Sequence, residues 1–264
     1  MATPKMMAAV CCISGTQHPT KRHGGEAGMS FIRSLIDFST NVIGQLKRGR
    51  RVSPQSDSRD GYVKVNLGCG LAVTKGWINV DASLNALFAS WPRVVHKLLY
   101  RLSGSNRYYS LEQYCDLLEN NVFMQHDLSY SIPLKDQTAD FIYSSHFLEH
   151  LFKQDAERLL TDCYRALKPG GILRISIPDL AYAISLYARG EKEQMMTAYF
   201  FVEDKESFLA RHKYMYDFDL LKSLLEKIGY SQVTRCAYQA GQTPDIKQLD
   251  NRPEDSLFVE AIKL

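Results

Sequence analysis

The stretch between residues 63 and 81 constrains the fold of this chain more than any other part of its sequence. An apolar, β-branched run at 63–67 leads directly into the glycine turn Gly68-Cys69-Gly70, and a second apolar run at 77–80 is followed by Asp81. This order predicts a strand, a tight turn, a second strand and a carboxylate at its end. It is typical of an open α/β sheet that binds an adenosine, because the turn admits a ligand close to the backbone and the carboxylate accepts hydrogen bonds from the ribose hydroxyls.

The spacing of the turn argues against a dinucleotide. A dinucleotide-binding turn has a third glycine three residues after the second, but Val73 occupies that position here. The acidic residue of a dinucleotide site also follows about twenty residues later, whereas Asp81 comes much sooner. Both departures argue against a pyrophosphate and so against a nucleotide-dependent oxidoreductase. They favour an adenosine ligand without phosphates.

Composition excludes several classes of protein. The 264 residues suffice for one α/β domain with an extension, and the formal net charge is +3 with no long basic tract after residue 60, so we expect no nucleic-acid partner. The six cysteines contain no C-x-x-C pair, which fits a reducing compartment, and we expect a cytoplasmic protein. No run approaches the roughly eighteen apolar residues that a membrane span requires.

The chain divides into three segments by composition. Residues 1–28 are small and polar without periodicity, and we expect them to be disordered or, if translation starts at Met29, not to be made. Residues 29–60 contain an amphipathic helix and a polar linker. Residues 61–264 form the domain that carries the motifs.

The amphipathic helix at 31–46 is followed by a basic run at 47–51. One interpretation is that residues 31–51 contact a membrane surface. The other, which we favour, is that the helix packs across the domain and the basic run is a solvated surface. The sequence does not indicate an oligomeric state.

Strands and helices alternate from residue 61 onward, which is typical of a largely parallel sheet. The last two strands have no helical pattern between them and should pair as an antiparallel hairpin. We therefore predict a Rossmann-like, doubly wound α/β fold with a mostly parallel seven-stranded sheet and an antiparallel C-terminal hairpin. The predicted strands are 63–67, 77–80, 121–126, 140–144, 172–177, 231–238 and 256–262, and the predicted helices are 147–167 and 218–228.

Several motifs follow one another in a fixed order in residues 61–264. They are Asn66-Leu-Gly-Cys-Gly70, Asp81, Gln125-His-Asp127, the run 140–150, Ala166-Leu-Lys-Pro-Gly-Gly171 and Leu173-Arg-Ile-Ser-Ile-Pro-Asp179. In this order they resemble the class I S-adenosylmethionine-dependent methyltransferases, and within them the methyltransferase type 11 group. The resemblance implies S-adenosyl-L-methionine as the cofactor and methyl transfer as the activity.

The resemblance also implies a role for particular residues. Gly68 and Gly70 would let the backbone approach the cofactor, Asp81 would bind the ribose, and Asp127 would lie against the adenine amino group. Ser145 and His146 leave the end of the fourth strand and would face the crevice where sheets of this kind bind ligands, and Ser145 is a further cofactor-binding candidate.

Asn66 departs from the family pattern. Relatives often carry an acid at this position, which helps to hold the ammonium group of the cofactor, whereas Asn66 is an uncharged acceptor. We retain Asn66 as a cofactor-binding candidate. A methyltransferase-like protein that binds a partner without catalysis is the alternative that this departure leaves open.

Residues 146–150 also match H-x-x-E-H, the inverted zinc-protease signature. On a helix, positions i and i+4 would present both imidazoles on one face. No third ligand is evident nearby in the sequence, however, so we expect no metal site. Within the methyltransferase pattern, His146 is instead the candidate catalytic base, with a purely structural imidazole as the other interpretation.

Two segments are candidates for substrate binding. Residues 181–217 are dense in Tyr, Phe and Met, and the connection 239–255 is long and polar. Long connections in compact domains are usually functional, so His212, Tyr214 and Arg252 are candidates to contact a polar acceptor. Packing of the aromatic residues in a helical cap is an equally open interpretation. The predicted acceptor is a small polar or glycan-linked molecule.

Overall fold

The computed structural model describes residues 46–200 and 211–264 apart from four single residues, Arg48, Asp57, Arg59 and Glu254. The predicted extension 1–28 lies outside the described residues. So does the predicted helix at 31–46, apart from Leu46.

One sheet organises the described part of the chain. Its strands, in chain order, are β1 (Lys64–Leu67), β2 (Ile78–Asp81), β3 (Val122–Gln125), β4 (Ala139–Ser145), β5 (Leu167–Pro178), β6 (Ser231–Cys236) and β7 (Ser256–Ile262). Their order across the sheet is β3-β2-β1-β4-β5-β7-β6. Strands β1 to β5 are parallel, and β7 is antiparallel to both of its neighbours. The predicted seven-stranded Rossmann-like sheet with an antiparallel C-terminal hairpin is thus confirmed.

The strand order places the functional crevice. Strand β1 lies between β2 and β4, so the chain turns to one side of β1 first and to the other side later. Ligands of open α/β sheets bind at such a reversal, outside the carboxyl ends of the strands. The residues that follow β1 and β4 are therefore the ones that can meet a ligand.

Helices occupy the connections. They are α1 (Leu84–Phe88), α2 (Arg93–Leu102), α3 (Leu111–Glu119), α4 (Lys153–Ala166), α5 (Leu180–Ala188), α6 (Lys192–Met195), α7 (Phe218–Ile228) and α8 (Ile246–Leu249). The predicted helix 218–228 is confirmed with both ends: the Asp217 side chain accepts a hydrogen bond from the Leu220 backbone, and Gly229 ends the helix in a left-handed conformation. A π-helical turn, Met196–Phe200, follows α6.

The predicted helix at 147–167 is wrong at its start. Residues Leu148–His150 form a 3-10 turn, and α4 begins only at Lys153. His146 has a left-handed backbone with a φ of 48°, and Phe152 is extended, so one continuous helix cannot run through them. His146 and His150 consequently do not share a helical face.

The core consists of apolar side chains from the sheet and from α4 and α7. Every residue of β1 is buried, and β5 is buried from Gly171 to Pro178. Continuous burial of this kind is expected for parallel strands covered on both faces. A charged side chain also lies in this core: Arg174 of β5 is completely buried.

The segment before β1 follows the domain surface. Val52 forms a parallel bridge with Leu134, and the Lys47 ammonium donates a hydrogen bond of 2.7 Å to Gln125 at the end of β3. Lys47 of the basic run and Val52 directly after the run thus contact the domain. None of the helices in the described ranges is long and apolar enough to cross a membrane.

Candidate functional site

A pocket with a cavity volume of about 30 Å³ opens at the carboxyl ends of β1 and β4. Three parts of the chain form the wall: the glycine turn after β1, the end of β4, and the connection between β6 and β7. The lining residues are Asn66, Gly68, Cys69, Ala72, Tyr143, Ser145, His146, Leu249, Asn251 and Arg252.

The glycine turn has no room for side chains at its first position. Gly68 and Gly70 adopt left-handed conformations with φ values of 64° and 52°. A Cβ atom on Gly68 would overlap the ring of Phe147. Between the glycines, burial raises the pKa of the Cys69 thiol well above its ordinary value. The turn therefore offers a ligand its backbone rather than a reactive thiolate.

Two carboxylates lie at the carboxyl ends of the neighbouring strands β2 and β3. The Asp81 carboxylate accepts hydrogen bonds of 2.8 Å from the backbone N–H groups of Gly70 and Ser83. Asp127 lies two residues past the end of β3. The residue before it, His126, donates a hydrogen bond from its backbone N–H to the backbone carbonyl of Asp81. Asp127 accepts two hydrogen bonds from Ser129, both at Oδ1. The turn, the Asp81 carboxylate and Asp127 thus follow three neighbouring strands, β1, β2 and β3.

His146 lies at the junction of the pocket walls. Its Nε2 is 3.0 Å from Ser256 Oγ, and its Nδ1 is 3.5 Å from Glu149 Oε1 and 3.4 Å from an Arg252 guanidinium nitrogen. Burial favours the neutral form of Glu149, but the hydrogen bond with His146 and the charges of nearby histidines hold the pKa of Glu149 below its usual value. His146 therefore contacts an ionised carboxylate.

A buried ion network holds the connection that closes the pocket. The Arg174 guanidinium is 2.5 Å from Asp250 and 3.1 Å from Glu260, and the side chains of Arg174, Asp250 and Glu260 are at most 3% exposed. Asp250 and Glu260 also accept hydrogen bonds from backbone N–H groups of the connection, at Gln239 and Thr243 among others. Arg174 thereby fixes residues 249–252 against the pocket.

Two polar atoms at the pocket have no hydrogen-bond partner among the described residues. They are the hydroxyl oxygen of Ser145 and the carbonyl oxygen of the Asn251 side chain, and both atoms are buried. Buried polar atoms are nearly always hydrogen-bonded, so these two unsatisfied atoms among the pocket-lining residues indicate a polar ligand there.

The structure brings most of the predicted site residues together. Asn66, Gly68, Ser145, His146 and Arg252 line one pocket, and Gly70 and Asp81 are hydrogen-bonded to each other beside it. His212 and Tyr214 do not line the pocket. They lie on a segment that packs against Glu149 and His150, and Tyr214 also packs against the main core.

Sequence reasoning missed Arg174, Asp250 and Asn251. A signal for Arg174 was present, since a charged residue inside the buried run 172–177 requires a buried partner. The identity of that partner was not predictable, because Asp250 lies far along the chain and shares no pattern with it.

Comparisons with known proteins agree with the resemblance. The family model described as "Methyltransferase domain" matches residues 95–175. No curated protein matches the chain.

Among solved structures, an S-adenosylmethionine-dependent methyltransferase from Archaeoglobus fulgidus is 17% identical, with 91% of this chain and 95% of that chain covered and a TM-score of 0.45. A Thermotoga maritima S-adenosylmethionine-dependent methyltransferase is 16% identical, with 91% and 95% covered and a TM-score of 0.43. A methyltransferase in complex with the Haloferax volcanii Trm112 methyltransferase activator is 12% identical, with 90% and 95% covered and a TM-score of 0.44.

Proposed function

We propose that this chain is a class I S-adenosylmethionine-dependent methyltransferase that methylates a small polar acceptor. The family match over residues 95–175 and the strand order support this proposal. Glycan-linked acceptors fall within the class of small polar acceptors. The observation that carries the proposal is the unsatisfied pair of polar atoms on Ser145 and Asn251, because an apolar acceptor would leave both atoms without hydrogen bonds.

The residues around the glycine turn suit the cofactor. S-adenosyl-L-methionine supplies the electrophilic methyl group, so the protein has to bind, orient and desolvate the reactants. Gly68 and Gly70 let the backbone approach, and Asp81 and Asp127 offer carboxylates to the ribose and the adenine. Asn66 donates hydrogen bonds to the Ala72 carbonyl and to Asn79, so the atom that it retains for a ligand is its carbonyl oxygen, an acceptor suited to an ammonium group.

The end of β4 and the connection between β6 and β7 suit the acceptor. Ser145 and Asn251 supply hydrogen bonds to its polar groups, and Arg252 adds a positive charge. His146 takes the proton of an acceptor hydroxyl, with Glu149 stabilising the resulting imidazolium. A hydroxyl acceptor needs this step, because methyl transfer leaves a proton to be removed.

The test is turnover with S-adenosyl-L-methionine and a panel of sugars and other hydroxy compounds, measured as formation of S-adenosylhomocysteine. With an active acceptor, Ser145→Ala and Asn251→Ala should raise KM for the acceptor. Ser144→Ala is the matched control, since the Ser144 hydroxyl is also buried and without a partner among the described residues but does not line the pocket. His146→Asn should lower kcat by about 10²–10⁴-fold.

Equal KM effects of Ser144→Ala and Ser145→Ala would contradict the proposed acceptor wall. Cofactor binding without turnover on any acceptor would instead favour the alternative, a methyltransferase-like protein that binds a partner without catalysis.

A further inference from the structure

Next to His146 at the pocket, three potential metal ligands come together. One ligand atom each from Glu149, His150 and His212 lies within 4.8 Å of the others. The sequence showed only H-x-x-E-H and no third ligand. The fold supplies one in His212, which lies far along the chain.

The backbone builds this cluster. The N–H groups of Lys213 and Tyr214 donate hydrogen bonds of 2.7 and 3.3 Å to the carbonyl of Glu149, and the Lys213 ammonium donates to the carbonyl of His150. The segment that carries His212 is thereby fixed on the turn that carries the other two residues. The two imidazole rings are 5.2 Å apart between centroids.

Both imidazoles present the same nitrogen to the cluster. His150 Nδ1 is 3.3 Å from the backbone carbonyl of Arg211, and His212 Nδ1 is 2.7 Å from the backbone carbonyl of Tyr199. A carbonyl only accepts hydrogen bonds, so each Nδ1 carries the proton and each Nε2 keeps its lone pair. Metal-binding histidines are held in this way by an outer hydrogen bond to a carbonyl or carboxylate.

The Glu149 carboxylate has one oxygen without a hydrogen-bond partner among the described residues. The Glu149 side chain is 2% exposed, and its Oε1 lies near His146 and is 3.8 Å from His150 Nε2. Its Oε2 is buried and has no hydrogen-bond partner among the described residues. A buried, unsatisfied carboxylate oxygen beside two imidazole lone pairs is costly unless a cation binds it.

From this arrangement we propose that Glu149, His150 and His212 bind a divalent metal ion, with Zn²⁺ as the ion that two imidazoles and one carboxylate suit best. Three protein ligands leave a fourth tetrahedral position for water or another oxygen ligand. The ion ties the 211–214 segment to the turn, and through Glu149 it also fixes His146 at the pocket.

The test is calorimetric titration of the metal-stripped full chain with Zn²⁺ alone, beside Glu149→Gln and His212→Ala. One tight equivalent of zinc should bind the wild-type chain, and both variants should lose at least a hundredfold in affinity for that equivalent. His126→Ala is the control, since this histidine is also buried but lies outside the cluster, and it should retain the equivalent. Unchanged melting curves of the metal-free variants will show that they fold.

Cobalt gives a direct readout of the ligands. Co²⁺ in place of zinc should produce the visible d–d bands of a tetrahedral site in the wild-type chain and not in His212→Ala. Absence of tight zinc binding, or binding that Glu149→Gln and His212→Ala leave unchanged, overturns the proposal. Neither result depends on methyl transfer, so the metal site and the proposed function can fail separately.

Discussion

Asp250→Asn is the substitution that tests how the pocket is closed. It removes one charge from the network of Arg174, Asp250 and Glu260, in which the side chains of Arg174 and Asp250 are 0% exposed. Removing one partner of a buried ion pair costs about 3–5 kcal/mol, because the other charge stays buried. Glu260 still contacts Arg174, so we expect the lower end, about 3 kcal/mol.

This loss is large enough to measure by thermal unfolding. For a domain of 150–250 residues, each kcal/mol lowers Tm by about 2–4 °C, so Tm should fall by roughly 6–12 °C. The control is Glu157→Gln, which breaks an ion pair with Lys227 in which the side chains are 36% and 70% exposed. Exposed pairs contribute about 0–1 kcal/mol, so the control should change Tm by at most a few degrees.

Asp250→Asn also tests whether the ion network positions the pocket residues. Because Asp250 anchors the connection that carries Asn251 and Arg252, Asp250→Asn should also weaken acceptor binding once an acceptor is known. A fall in Tm no greater than that of Glu157→Gln would refute the reasoning, since Arg174 would then not depend on Asp250.

Two further predictions concern stability. Gly68→Ala should destabilise the chain more than Gly61→Ala. Both glycines have a positive φ, but only a Cβ atom on Gly68 would overlap another side chain, that of Phe147. Equal free energies of unfolding in urea for the two variants would contradict this prediction. Burial raises the pKa of Glu260, but backbone hydrogen bonds and Arg174 lower it more, so its folded-state pKa is depressed. Its stabilisation should therefore be complete above the ordinary Glu pKa of about 4.3 and be lost as the pH falls below that value, so that Glu260→Gln differs from wild type at pH 7 and much less in acid.

The sequence predicted those features that depend on local patterns. The strand positions, the glycine turn at Gly68, the end of α7 at Gly229 and the hairpin of β6 and β7 all follow from periodicity and from turn residues. The break before α4 was missed, because the left-handed backbone of His146 interrupts an otherwise helical pattern.

The parts that were not predictable join residues far apart in sequence. Arg174 with Asp250, and His212 with Glu149, meet only when the sheet and its connections are in place. Arg174 and Glu149 were conspicuous in the sequence, but neither periodicity nor spacing identifies their partners. The pocket wall at Asn251 was missed for the same reason.

Calorimetric titration with S-adenosyl-L-methionine tests the central claim most directly. Wild-type chain should bind the cofactor saturably, and NADH should not bind, because the turn lacks the features of a pyrophosphate site. Asp81→Asn should abolish or strongly weaken binding, whereas Asp116→Asn, an exposed carboxylate on α3, should leave it unchanged. Absence of binding to the wild-type chain, or equal affinity in Asp81→Asn, would contradict the cofactor site described above.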